Sequence, residues 1–313
     1  MINQFMDDRN HVRDGIVSVG GNIVGLCIPS TVIGNDGEKI YINSRDGIAS
    51  FKPDGAESFW EALIKSGSIL FGSAEEVAQS AAYLKNPRLS RTTSYLCTES
   101  SNCADLIKKV CNIASANVVI IGCGGIGSLA AMNLAGAGVA KLTLIDHDTI
   151  EESNLNRQFF WTKQHIGLPK VNVLRSEIFA RYSDIDVSTE SSLLDINSIV
   201  SLADAHDACI VIADEPLGIS ANIAALSRAF VVSDAYFHRY SCYFARFSSC
   251  EIGTSSINWS RGPNIIAPSF GPANTEIAGA ISSLCLNYLS DRHSLDSVNV
   301  NYAWRSNRLA NQQ

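Results

Sequence analysis

The stretch that decides the fold is Asn117-Val118-Val119-Ile120-Ile121, followed by Gly122-Cys123-Gly124-Gly125-Ile126-Gly127, an Ala- and Leu-rich run over residues 129–137, and Lys141-Leu142-Thr143-Leu144-Ile145-Asp146. Two short apolar runs, at 118–121 and 141–145, flank a glycine turn and a helix-forming segment, which reads as strand, turn, helix, strand: a βαβ unit. The glycines fit G-x-G-x-x-G, and Asp146 stands nineteen residues beyond Gly127, at the end of the second strand. In that context glycines let the backbone turn tightly and approach a phosphate. The helix start offers unpaired N–H groups and partial positive charge, and the acid can take ribose hydroxyls. Gly122, Gly124, Gly125, Gly127 and Asp146 are therefore candidate nucleotide-binding residues.

Downstream, apolar runs at 208–213 and 230–233 sit between helix-like stretches at 170–182 and 218–228. These are the marks of buried parallel strands with covering helices, so the fold class expected here is α/β, a doubly wound Rossmann-like sheet. Residues 238–269 read as an irregular, aromatic and Ser-rich loop crossing the site, and it carries Arg239, Arg246, Trp259 and Arg261. Gly271-Pro272-Ala273-Asn274-Thr275-Glu276 then opens a helix to about Leu289 that lines the pocket, with Asn274 or Thr275 as its cap.

Upstream the character changes. Short β-prone runs at 16–19, 23–28 and 39–42 are separated by Gly20-Gly21-Asn22 and Asn35-Asp36-Gly37, both hairpin turn signals. Helical patterns follow at 56–65 and at 74–84, the second opened by a Ser73-x-x-Glu76 capping box. Hairpin strands followed by two helices predict a winged-helix-like recognition module over residues 1–90, since it carries no cluster of catalytic residue types. Asn86-Pro87-Arg88 breaks the pattern and begins a linker; residues 101–113 look helical again. The catalytic domain is expected over 91–313.

Lys plus Arg number 24 and Asp plus Glu 31, a formal charge of −7, which argues against a general binder of nucleic acid. At 46% hydrophobic and 18% charged, the composition is that of a folded chain. The apolar stretch 113–140 is too interrupted by Asn and Gly to cross a membrane, and residues 1–14 show no apolar signal core. A cytoplasmic address is expected. The nine cysteines have no framework spacing and read as free thiols.

The glycine fingerprint alone also describes a nicotinamide or flavin dehydrogenase, but the next segment departs from one. Asp146-His147-Asp148 is followed by Asn154-Leu155-Asn156-Arg157-Gln158 and by Gly167-Leu168-Pro169-Lys170. An Arg and a Lys arriving from separate segments near a helix start suit a triphosphate and the pyrophosphate that leaves it, while Asp146 and Asp148 can hold Mg²⁺ or ribose.

With Ala213-Asp214 and Arg88-Leu89-Ser90-Arg91 added, these motifs resemble the ThiF/MoeB/E1-like adenylating enzymes over roughly residues 88–286. The resemblance implies ATP and Mg²⁺: Asp146 on the ribose, Arg157 and Lys170 on the phosphates, Asp214 on Mg²⁺ and pyrophosphate, Asn154 and Gln158 supporting the triphosphate or Arg157. It also implies a homodimer in which Arg91 reaches the ATP site of the other subunit; Thr92 stands where the family's opening motif has Gln.

Many relatives carry two Cys-x-x-Cys pairs for structural zinc. Here Cys242 is followed three residues later by Ala245, and Cys250 is eight beyond Cys242, so no zinc is expected and Cys250 is a weak candidate nucleophile. The N-terminal module resembles the leader-peptide clamp fused to microcin C-type adenylating enzymes, where a leader adds as a strand to a sheet edge. The function so implied is ATP-dependent adenylation of a carboxylate on a ribosomal precursor peptide, in antibiotic biosynthesis. Intramolecular capture of the acyl-adenylate follows, as in zinc-free, pantocin-forming relatives. The alternatives are nucleotidyl-peptide formation, an NAD-dependent oxidoreductase, and a catalytically silent E1-like subunit.

Overall fold

A computed structural model describes residues 6, 8–53, 58–213, 219–227, 230–237, 241–246, 269–291 and 300–304. The chain divides into two compact units, Met1–Cys111 and Asn112–Gln313.

The first unit begins with β1 (His11–Arg13), β2 (Ile16–Val19), β3 (Asn22–Cys27), β4 (Val32–Asn35), β5 (Ile40–Ser44) and β6 (Gly47–Phe51). It continues through α1 (Phe59–Lys65), β7 (Ile69–Phe71), α2 (Ala74–Lys85) and α3 (Ser90–Glu99) into α4 (Cys103–Ala114), which runs across the boundary between the units. The hairpin strands expected from sequence are spread over two antiparallel sheets: a four-stranded sheet in the order β1-β2-β3-β7 and a three-stranded β4-β5-β6 meander. Gly20 and Gly21, both at positive φ, turn β2 into β3. β1, β4 and β6 lie outside the runs read from sequence, as does β7, which is three residues long and comes from beyond α1, so no local turn announces it. A shared core of Val17, Ile42, Phe51, Phe59, Leu63 and Ile69 joins strands from both sheets to α1.

The capping box at α2 forms as expected: the Glu76 amide donates to Ser73 Oγ at 3.3 Å and the Ser73 amide to Glu76 Oε2 at 2.8 Å. Ser58 and Glu61 repeat the device at α1. The linker expected after Pro87 is in fact helical from Ser90. α3 is built from residues of poor helix propensity and is held by burying Thr93, Leu96 and Cys97, so tertiary burial overrides the local preference.

The second unit contains β8 (Asn117–Ile121), α5 (Gly127–Ala137), β9 (Lys141–Ile145), α6 (Lys170–Phe179), β10 (Asp186–Glu190), α7 (Ile196–Asp204) and β11 (Ala208–Val211). After them come α8 (Ile219–Leu226), β12 (Phe230–Phe237), β13 (Ser241–Arg246), α9 (Gly271–Ser290) and β14 (Val300–Trp304). They form one seven-stranded sheet in the order β10-β9-β8-β11-β12-β13-β14. The first five strands are parallel and the last two join antiparallel. Part of the segment read as an irregular loop, residues 241–246, is thus strand β13; it pairs with β12 just before it in the chain and with β14 more than fifty residues beyond it.

Val118, Val119, Ile120 and Ile121 are all buried because helices cover both faces of β8. Val119 and Ile121 meet Ile199 and Ala203 of α7 and Ile219 and Ile223 of α8 on one side. α5 lies beside α6 and α9. It ends on Gly138 in the left-handed region, whose amide closes on the Leu134 and Ala135 carbonyls. Because β9 lies on one side of β8 and β11 on the other, the chain reverses direction of winding at the C-terminal end of β8. In open parallel sheets this crevice is where ligands bind.

Candidate functional site

The glycine turn occupies that crevice. Gly122 has φ +89°, and its amide donates to the Ile145 carbonyl at 2.8 Å. A Cβ there would lie 2.8 Å from the Ala213 amide nitrogen, so the turn threads between the ends of β9 and β11. At Gly127 a Cβ would collide with the Gly122 carbonyl oxygen, a backbone group that cannot yield. These two approaches fold residues 122–127 into a cradle at the start of α5. The first helical bonds run from Ser128 to Gly124 and from Ala130 to Ile126. The amides of Gly124, Gly125, Ile126 and Gly127 make no hydrogen bond to any described residue. Four unsatisfied donors at a helix start are what an anion binds.

Asp146, 9% exposed, fastens the cradle to the next loop. One carboxylate oxygen accepts the Cys123 amide at 2.7 Å and the other the Asp148 amide at 2.9 Å. Burial first, and then the Asp146 charge, push the Cys123 thiol well above its ordinary range, so it is a packing group and no nucleophile. Residues 148–150 pair with the Gly-x-x-Lys segment: Lys170 N donates to Asp148 O at 3.1 Å, Ile150 N to Leu168 O at 2.9 Å and Gly167 N to Ile150 O at 2.8 Å. This pairing delivers Lys170, with a side chain 8% exposed, to Asp148 at Nζ–Oδ2 2.7 Å, and the Asp148 side chain remains 52% exposed. Asp148 also lies 3.5 Å from His147 Nε2. The ligand atoms of Asp146, His147 and Asp148 lie within 4.8 Å of one another.

The Asn154–Gln158 segment folds over the turn. Asn154 closes a 3-10 turn, its Oδ1 accepting the Glu151 amide at 3.1 Å, and its carbonyl accepts the amides of Arg157 and Gln158. Gln158, 4% exposed, accepts from Trp161 Nε1 at 2.6 Å, and its Nε2 faces Gly124. The Arg157 carbonyl backs Gly125, while its guanidinium donates to Ser153 O at 2.7 Å and to Asn156 Oδ1 at 3.1 Å.

The structure therefore brings Gly122, Gly124, Gly125, Gly127, Asp146, Asp148, Asn154, Arg157, Gln158 and Lys170 to one end of the sheet. Arg91 is exposed on α3 of the first unit. Asp214 and Cys250 lie outside the described residues, as do Arg239, Trp259 and Arg261; Cys242 and Arg246 fall on β13. Neither Asn274 nor Thr275 caps α9. The N-cap is Phe270, and Pro272 inside the first turn was the signal that the cap lay upstream. Asn274 instead packs, 2% exposed, with its carboxamide against Gly125.

The sequence profile of the ThiF family matches residues 104–310, well over half of the chain. The chain belongs to the ThiF family. Among curated relatives it is 37% identical over 94 residues to the molybdopterin-synthase adenylyltransferase of Salmonella typhimurium, covering 30% of this chain and 38% of that protein. It is 33% identical over 98 residues to the adenylyltransferase and sulfurtransferase MOCS3 of Anopheles gambiae, covering 31% of this chain and 22% of that one. The matched stretch thus spans well under half the length of these relatives. Among solved structures, E. coli MccB with MccA-N7isoASN superposes at a TM-score of 0.63 with 18% identity, covering 90% of this chain and 93% of that one. MccB with ATP superposes at 0.62 with 19% identity, covering 85% and 89%. This ThiF-family chain shares the E1-like fold of MccB, the match covering 90% of it.

Proposed function

We propose that this protein uses ATP to adenylate a carboxylate of a precursor peptide, releasing pyrophosphate, and that the activated carbonyl is then captured within the same peptide. The observation that carries the reading is the anion cradle at the sheet's switch point, with the nearly buried Lys170 held beside it by Asp148. Family membership favours it over the dehydrogenase alternative, which rests on the glycine turn and Asp146 alone.

A carboxylate is ionised at neutral pH and needs no base. Its oxygen forms a bond to the α-phosphorus while the bond from that phosphorus to the bridging oxygen of pyrophosphate breaks, and no proton moves. What this step requires is orientation and shielding of negative charge. The amides of the glycine turn and the cations of Lys170 and Arg157 are the groups to supply it, with the partner's Arg91 if the protein works as a homodimer. Asp146 would fix the ribose, and Asn154 and Gln158 the loop that carries Arg157. The carboxylate oxygens of this corner suit a hard cation. Mg²⁺ would be held by Asp214 together with Asp148, and it would neutralise phosphate charge.

The N-terminal unit, with its antiparallel sheets, is the proposed clamp for the leader, as the alignment of MccB structures bound to MccA along 90% of this chain supports. The same likeness favours one second reading, in which a nitrogen of the peptide captures the phosphorus and the product is a nucleotidyl peptide.

Incubation with Mg-ATP and the precursor peptide should release pyrophosphate, and Arg157→Ala or Asp214→Asn should abolish the release. The product's mass separates the readings: loss of water marks a ring, and gain of a nucleotide marks the second. ATP binding with no peptide-dependent pyrophosphate would instead mark a silent subunit.

A further inference from the structure

The first turn of α9 places a polar side chain in the wall of the glycine cradle. Asn274 is 2% exposed, and its Nδ2 lies so close to Gly125 that a Cβ at that glycine would strike it. Of the four hydrogen bonds a carboxamide can make, it makes one among the described residues, from Nδ2 to Ser269 Oγ at a long 3.4 Å. Its Oδ1 is buried without a partner among the described residues, and so is Ser128 Oγ, one residue past Gly127. Buried polar groups are nearly always paired, because stranding one costs about 1–3 kcal/mol. Two such groups beside the four free amides of residues 124–127 describe a site whose last partner is a ligand. Ser269 Oγ can donate or accept, so either orientation of the carboxamide leaves at least one N–H unpaired.

We infer that Asn274 is a nucleotide-binding residue that donates a hydrogen bond to a phosphate oxygen held in the glycine cradle. This rests on the nucleotide reading above and adds to it a group from α9, more than a hundred residues beyond the glycine motif. The competing account, that Asn274 only buttresses Gly125, requires its shape but neither its N–H nor its neutrality.

Three variants of the full chain separate the accounts, with ATP dissociation constants measured by calorimetry and folding followed by thermal midpoint. Asn274→Ala removes the donor and should weaken ATP about tenfold. Asn274→Asp keeps the shape but turns a carboxylate toward phosphate, and should weaken ATP further than Ala does. Asn274→Leu removes the stranded polar atoms; its midpoint should stay at or above that of the wild type while its ATP affinity falls. Asp binding ATP as well as the wild type, or affinity falling only in step with the midpoint across the three, would overturn the inference. If the wild-type chain fails to bind ATP, the fault lies in the nucleotide reading itself.

Discussion

Gly127→Ala and Gly124→Ala differ by three positions in one turn and are expected to have unequal consequences. At Gly127 the new Cβ would overlap the Gly122 carbonyl oxygen and lie 2.9 Å from its carbon, with Ile120 Cγ2 at 3.6 Å behind. The obstructing atoms are backbone, tied at one end to Ile145 by a 2.8 Å hydrogen bond, so relief must come from moving the cradle. Overpacking of this kind costs about 1–3 kcal/mol. Alanine's better helix propensity returns at most about 1 kcal/mol, and less at the first helical residue. The net expectation is a loss of roughly 1–2 kcal/mol, a fall in urea midpoint of about 0.5 M. At Gly124 the nearest atom to a Cβ is Gln158 Nε2 at 3.6 Å, an ordinary contact, and φ is not positive. Stability there should change by less than about 1 kcal/mol, because the unfolded chain also loses freedom. Urea unfolding followed by tryptophan fluorescence checks both, since Trp161 is buried beside the turn and bonded to Gln158. A Gly127→Ala protein as stable as the wild type, or less affected than Gly124→Ala, would refute the close-approach reasoning.

Three further outcomes are expected. Asp148→Asn strands the ammonium of Lys170, whose side chain is 8% exposed; because Asp148 is 52% exposed, the cost lies between those of surface and buried pairs, about 1–2 kcal/mol. Lys170→Met removes the charge and should cost less, so equal urea midpoints for the two would contradict the pairing. Bonds from Tyr41 and from the Lys39 and Glu38 amides lower Asp36 from its ordinary 3.8 to about 2, so its contribution to stability is complete above 3.8 and is lost as pH falls toward 2. Asp36→Asn should therefore flatten the acid limb of a thermal-midpoint titration, and an unchanged limb would argue against the bonds. Among the described cysteines, Cys111 is exposed, whereas burial raises Cys97 and Cys285 to about 12. Brief alkylation followed by peptide mapping should label Cys111 well before those two.

Legibility differed with the range of the interaction that decides each feature. The glycine turn, the capping box at Ser73 and the strands on either side of α5 were readable because neighbours in the chain decide them. β1, β4, β6, β7, β10, α7, β13 and β14 were not, and α3 was taken for a linker; β7, β10 and β14 pair with strands about forty or more residues away in sequence. The same division runs through the site. Asp146, Lys170 and the Asn154–Gln158 segment stand out as residue types at characteristic spacings. Asn274 had no such signal and was read as a cap.

From its order of residues alone, the chain determined a βαβ nucleotide cradle, its associated acids and cations, and a distinct module ahead of them, because strand and helix periodicity and glycine stereochemistry act over a few residues. Only the tertiary structure decided where β8 meets β9 and β11, that Lys170 is nearly buried against Asp148, and that a carboxamide from α9 lies against Gly125. Those facts come from sheet order and side-chain packing between segments distant in the chain, and a linear pattern does not encode which distant segment will supply the missing partner.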